Sequence, residues 1–465
     1  MKKPILFTTL LCIAASSLAN IRLPNVINNN MVLQQQSSVT LWGWAEPGEK
    51  VIITTSWDNK MDSVTTTRDA KWQVPITTPK AGGPYTITLK GNNSITLDNV
   101  LIGEVWVCSG QSNMEMSGSW GLQDIKNELP TAYNTNIRFF HIPKTTAEFP
   151  QDNCAGEWEI CDSNTLKTFS AAGYFFGKQL NQKLNVPIGL IESAWGGTPA
   201  EVWTPDSIVT SNDTLQAAAS KLQPSNGWPY KPGYTYNAMI YPITPYNIAG
   251  AIWYQGESNT GTANTYTQLF TDMITSWCKA WNKDLPFYYV QIAPFKYGTP
   301  YIGALLQEAQ QQAMQLDNTG MVVITDLVAD TNDIHPTNKH DVGIRLANWA
   351  LAETYNQQGI AYRSPMYKNM AVDKDKAIIT FDNVLNGLAI KGGSAKELYI
   401  SGSDHIFFPA NATVKNGQLV VWSKFVKQPV AVRYGFGNTA EGNIFSTEGL
   451  PVAPFRTDDW AVNTQ

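Results

Sequence analysis

The 465-residue sequence predicts an α/β protein with a parallel sheet at its centre and β-sandwich regions at both ends. Length is the first reason, because a chain of this size exceeds one ordinary hydrophobic core and divides into two or three domains. The second is rhythm: in the middle of the chain apolar strands alternate with amphipathic helices, the pattern of a parallel sheet covered on both faces. The third is that short Val-, Ile-, Thr- and Trp-rich runs separated by turn residues occupy the two flanks.

The chain opens with Lys2 and Lys3, an apolar run through Ala15, and the small-residue stretch Ser17-Leu18-Ala19. This is the layout of a signal peptide over residues 1–19, so export to the periplasm or the outside is expected. Cys12 follows Leu10 and Leu11 rather than the small residue a lipoprotein signal would place there, which favours a soluble mature form over a lipidated one. No later run reaches the roughly 20 apolar residues needed to span a bilayer.

Residues 20–102 carry Val39 to Trp44 and Tyr85 to Leu89 as their clearest strands, with turn signals at Glu46-Pro47-Gly48 and Gly82 to Pro84. They predict an N-terminal β-sandwich, either structural or sugar-contacting. Residues 103–360 form the α/β domain, with strands expected at Glu104 to Cys108, Pro187 to Ser193, Ala249 to Tyr254, Phe287 to Ile292 and Gly320 to Asp326. Tyr266, Leu269, Phe270, Met273, Ile274, Trp277 and Trp281 recur at helical spacing and should cover one sheet face. The connection from Thr204 to Tyr234 is long and Pro- and Asn-containing, either a wall of a substrate pocket or a surface excursion. Residues 361–465 return to β character at Ala377 to Phe381, Glu397 to Ile400 and Leu419 to Trp422. This region either completes the first sandwich or stands alone.

Composition narrows the partners. A net charge of −5 with 15% charged residues supplies no basic patch for nucleic acid or an anionic membrane. Sixteen Trp and nineteen Tyr fit either core or sugar-stacking surface. Outside the leader, Cys154 and Cys161 are near enough in sequence to pair in an oxidising compartment, whereas Cys108 and Cys278 read as free thiols in a strand and a helix. No cysteine cluster or His-Glu-x-x-His pattern indicates a metal, and no cofactor motif occurs.

In parallel α/β sheets ligands bind beyond the carboxyl ends of the strands, so motifs distant in sequence can converge there. Ser112 follows the first strand, Trp195-Gly196-Gly197-Thr198 the second, Gln255-Gly256-Glu257-Ser258-Asn259 the third, and Asp333-Ile334-His335-Pro336 the last. Acyl transfer needs a hydroxyl nucleophile, an imidazole and donors for an oxyanion. Ser112 is the candidate nucleophile and His335 the candidate base, because His340 at a helix start is better explained by capping or exposure. Gly197 and the Ser112 amide suit an oxyanion hole, since glycine lets main chain approach a ligand closely, and Gln255 can add a side-chain N–H. A Gly-x-Ser-x-Gly elbow is absent, as Met114 stands where its second glycine belongs. A glycosidase pair of Glu257 and Asp333 would leave Ser112 without a role.

Gly110-Gln111-Ser112-Asn113-Met114, Trp253-Tyr254-Gln255-Gly256-Glu257-Ser258-Asn259 and Asp333-Ile334-His335-Pro336 resemble the motifs of the sialate O-acetylesterase family, a branch of the SGNH hydrolases. The likeness extends to Glu192 through Thr198 and to the ending Gly449 through Arg456. It implies a flavodoxin-like SGNH catalytic domain joined to β-sandwich material, and metal-free removal of O-acetyl groups, the 9-O-acetyl group first among them, from sialic acids. By motif it implies Ser112 as nucleophile, His335 as base, and the Ser112 amide, Gly197 and Gln255 as oxyanion donors. Gln111 replaces the aspartate that usually precedes the serine. Asn332 occupies the place, three residues before the histidine, where the SGNH acid usually lies. Asp333, two residues before His335, is then the expected orienting acid, with a main-chain carbonyl as its alternative and Asp330 behind both. A plant-glycan esterase such as an acetylxylan esterase uses the same parts, and a noncatalytic glycan-binding protein is the remaining reading.

Overall fold

One strand, Ser94–Gly110, belongs to two sheets. Its first half alternates between buried and exposed residues and pairs antiparallel with Gly82–Lys90. From Val100 onward every residue is buried and the strand pairs parallel with neighbours on both sides. The change from alternation to a continuous apolar run marks the passage from a one-sided antiparallel sheet to a parallel sheet covered on both faces. The expected division at 102/103 therefore falls inside a strand. The structure, a computed structural model, describes residues 20–464; the leader expected at 1–19, with Cys12, lies outside the described residues.

The central sheet runs Thr319–Val322, Phe287–Val290, Gly250–Tyr254, Ser94–Gly110, Ile188–Ala194 and Asn134–His141, all parallel, with Trp158–Cys161 antiparallel at the edge. All five expected strands are present with shifted ends. Asn134–His141 and Trp158–Cys161 are two that the pattern did not indicate.

Successive residues of each strand feed opposite cores. Val105, Val107, Ile191, Trp253 and Tyr289 pack with helices Ala263–Trp281 and Ile302–Gln312, and every residue of the Tyr266-to-Trp281 stripe is buried there. Trp106, Cys108, Leu190, Ile252 and Val290 pack with helices Ala171–Leu184 and Lys339–Trp349.

The N-terminal strands share the first of these cores. The C-terminal region has its own, built by two four-stranded antiparallel sheets around Ile379, Ile400, Val421 and Val432. Cys154 and Cys161 are both buried free thiols rather than a disulfide, and Cys161 Sγ donates to the Ala132 carbonyl at 3.1 Å. Cys108 is buried as expected and Cys278 is half-buried. No described helix is long and apolar enough to cross a membrane.

Candidate active site

Three of the four motifs meet because three strands end at one level. In the sheet register Gly110 pairs with Ala194 on one side and Tyr254 on the other. The next residues of each chain segment therefore emerge side by side, on either side of the central strand where the strand order reverses, the place where open α/β sheets bind ligands. Gly110 has φ +137°, and a Cβ there would stand 2.2 Å from the Tyr254 carbonyl oxygen. Only glycine fits that approach.

Gln111 then ties the turn down. Its N–H donates to the Tyr254 carbonyl at 3.0 Å, and its Oε1 accepts from the Gly256 and Ser258 N–H groups at 3.2 and 3.4 Å. A neutral amide oxygen thus fastens the serine turn to the turn after the third strand. Ser112 opens the one-turn helix Ser112–Glu115 and is 8% exposed.

His335 reaches this serine from the loop that follows the last strand. Its Nε2 lies 2.9 Å from Ser112 Oγ, a hydrogen-bonded pair of the kind a nucleophile and its general base require. Burial pulls the His335 pKa below the ordinary imidazole value, with the nearby Lys339 cation acting in the same direction and Asp333 against both. The neutral ring, the form able to accept a proton, is favoured. Trp120 packs edge-on to the ring, with centroids 5.6 Å apart.

The expected acid is close but not bonded. Asp333 Oδ1 stands 3.6 Å from His335 Nδ1, beyond hydrogen-bond range, and accepts the His335 backbone N–H at 2.9 Å. Asp330 accepts from the N–H and side chain of Asn332 and is exposed. His340 pairs with Asp341 at 2.8 Å at the start of the Lys339–Trp349 helix, so it is a surface residue as expected.

The Gly196-Gly197 turn lies against Ser112: a Cβ on Gly196 would be 3.2 Å from Ser112 Cβ. Its position is held by Glu115, which accepts the Gly196 N–H at 2.6 Å and pairs with Lys144 at 2.6 Å. The N–H groups of Ser112 and Gly197 find no acceptor among the described residues. Donors so placed could serve a developing oxyanion.

Gln255 differs from expectation. It is wholly buried, and its amide donates to Asn259 Oδ1 at 2.7 Å and to the Thr198 carbonyl at 3.2 Å, while its Oε1 accepts from Tyr266 at 2.9 Å. Both amide hydrogens are spent joining the second motif to the third, and an oxyanion role would require one of these bonds to break.

Glu257 is buried and accepts from Asn113 at 2.7 Å, which makes it a brace rather than half of a glycosidase pair. Glu115, Trp120 and Trp228 were not singled out by sequence. Trp228, from the 204–234 connection, covers Gly197 so closely that a Cβ there would lie 2.3 Å from its ring. With Trp195, Tyr230, Lys231 and Tyr234 it lines an open pocket of about 290 Å³ beside the turn. No group of His, Cys, Asp and Glu among the described residues has the arrangement of a metal site.

The chain has known relatives. Residues 102–352, more than half of the chain, match the family model described as carbohydrate esterase, sialic acid-specific acetylesterase. Sialate O-acetylesterase of Homo sapiens is 29% identical over 401 residues, covering 77% of this chain and 76% of its own length. That of Mus musculus is 28% identical over 413 residues, covering 75% and 76%. The crystal structure of a carbohydrate acetylesterase from Xanthomonas citri superposes with a TM-score of 0.87 at 34% identity, over 95% of this chain and 100% of that one. The chain belongs to the sialic acid-specific acetylesterase family of carbohydrate esterases.

Proposed function

We propose that the protein removes O-acetyl groups from sialic acids through a serine acyl-enzyme. The observation that carries this reading is the 2.9 Å contact between Ser112 Oγ and His335 Nε2, set beside two uncommitted backbone N–H groups. Ser112 Oγ attacks the acetyl carbonyl as His335 Nε2 takes its proton. The oxygen that gains negative charge meets the Ser112 and Gly197 N–H groups, each such donor being worth roughly 2.7 to 4 kcal/mol in the transition state. His335 then returns the proton to the departing sugar oxygen, leaving acetyl-Ser112. Water, deprotonated by the same imidazole, releases acetate. Asp333 completes the set as the anion beside His335 Nδ1. No step requires a metal or cofactor.

Sialic acid as the sugar is supported by the names of the curated relatives, and the 9-O position by the resemblance of the motifs. The second reading, an acetylated plant glycan, is compatible with the Xanthomonas citri protein, which is described as a carbohydrate acetylesterase. Acetate release from 9-O-acetylated sialic acid and from acetylated xylan separates the two. Ser112→Ala is expected to abolish release, and turnover retained by the folded variant would sink the mechanism. We also infer export, from the leader pattern at 1–19. A mature N-terminus at Asn20, read by mass spectrometry, is the expected result, and an intact Met1 on protein recovered from outside the cytoplasm contradicts it.

A further inference from the structure

Behind the Ser112–His335 pair lies a buried cation that acyl transfer does not use. Lys339, the first residue of the Lys339–Trp349 helix, has no exposed surface. Its Nζ donates to Asn113 Oδ1 at 2.6 Å and sits 4.8 Å from the centroid of the Tyr254 ring. The other end of the same amide is shared. Asn113 Nδ2 donates to Glu257 Oε1 at 2.7 Å and to the Ile334 carbonyl at 3.1 Å.

Asn113 is the residue after the nucleophile, and Ile334 is the residue before the base. One side-chain amide thus fastens the serine turn to the histidine loop, and Lys339 and Glu257 fix which way that amide points. Taking an ammonium out of water is costly, so stability alone does not call for Lys339 here.

We propose that Lys339 is a positioning residue of the esterase, which, with Glu257, locks the Asn113 amide that sets the Ser112 to His335 distance. The proposal rests on the serine-esterase reading above. Every charged group facing Lys339 bears on its state: Glu257 from the turn after the third strand, Asp333 from the histidine loop, and Asp124, which accepts the Lys339 and His340 backbone N–H groups at 3.0 and 3.1 Å. Burial nonetheless pushes the Lys339 pKa down to about 7. The cation is therefore present below that pH, where His335 loses its proton, and it disfavours protonated His335. Removing the charge should move the acid limb of kcat/KM to higher pH, a change that simple loosening of the site would not produce.

The test uses the full chain hydrolysing p-nitrophenyl acetate, with Ser112→Ala as control. Lys339→Met is expected to lower kcat by about thirtyfold or more, on the scale that a 1 Å misplacement costs, to leave KM within about threefold, and to raise the acid limb. Lys339→Arg, which keeps the charge, should leave the limb in place. If Lys339→Met does not fold because Glu257 is left without its nearby cation, the doubly neutral Lys339→Met, Glu257→Gln enzyme is read by the same two criteria. An unmoved acid limb, or kcat within about threefold of wild type, overturns the positioning role. Wild-type hydrolysis that survives Ser112→Ala instead overturns the esterase mechanism, so the two failures are distinguishable.

Discussion

In the proposed mechanism His335 serves Ser112 only as a free base, and its surroundings divide over that state. Burial and Lys339 disfavour the imidazolium, and Asp333 favours it, with the first effect the largest. With the neutral ring as the proposed base and its pKa lowered, kcat/KM should hold as pH falls through 6.5 and decline only below it. A pH–rate profile whose acid limb lies above 6.5 would contradict this. Asp333→Asn removes the anion that favours protonation, so the limb should move lower still. Its turnover should fall by about tenfold to a hundredfold, well short of the roughly 10⁴ seen when a hydrogen-bonded acid is lost, because no bond to Nδ1 exists to be broken. A loss near 10⁴ would show that the carboxylate closes onto Nδ1 during the reaction. Ser112 and His335 were legible in the sequence because each lies in a polar motif beyond the end of an apolar strand. The bonding of Asp333 and Gln255 was not: a residue name states what a group can donate or accept, and only the fold decides which partner takes it.

Strand ends, more than any single side chain, make the site, since Gly110, Ala194 and Tyr254 terminate three strands in one register. That alignment fails if Gly110 carries a side chain. Gly110→Ala should destabilise the protein by about 3 kcal/mol or more, from the positive φ and the 2.2 Å approach to the Tyr254 oxygen, as read by the midpoint of urea unfolding. Wild-type stability would show that the two strands can part without cost. Trp228 makes a different case, since it covers Gly197 from a loop outside the sheet. Trp228→Ala should raise KM for an acetylated sugar about tenfold while changing p-nitrophenyl acetate hydrolysis little; equal effects on both substrates would place its role in the oxyanion turn. The five expected strands were readable because strands buried on both faces appear as apolar runs. Asn134–His141 was not, for it carries Asn134, Asn136 and a buried Arg138, and Trp158–Cys161 is only four residues long.

At the scale of the whole molecule the two β regions stand in different relations to the catalytic domain, although their sequences look alike. The N-terminal region gives half of the Ser94–Gly110 strand, pairs Val32–Gln34 in parallel with residues 101–103, and shares one continuous core with Trp253, Phe270 and Trp277. Tyr246 donates to the Val32 carbonyl at 2.7 Å, and Trp158 to that of Val26 at 2.8 Å, so buried polar groups of the catalytic domain depend on it. The C-terminal region has its own core but also sends Ala453 into the shared one, and it is fastened by the two hydrogen bonds of Arg456 to Glu308 at 2.7 and 2.8 Å, by Gln311 to the Pro454 carbonyl at 2.6 Å, and by Asn438, which bonds Phe295, Thr299 and Gly303. Neither arrangement was readable from strand patterning, which reports the period of a segment and not the core it joins. Deleting residues 20–102 should therefore yield no folded enzyme, because it uncovers apolar surface and leaves buried donors unpaired. Deleting residues 361–465 should leave a soluble protein that keeps Ser112-dependent acetate release at a lower melting temperature. Soluble yield, circular dichroism and acetate release measured on both fragments decide the point: a folded, active fragment lacking 20–102 would mean that the shared strand is a convenience of packing and not a condition for the site.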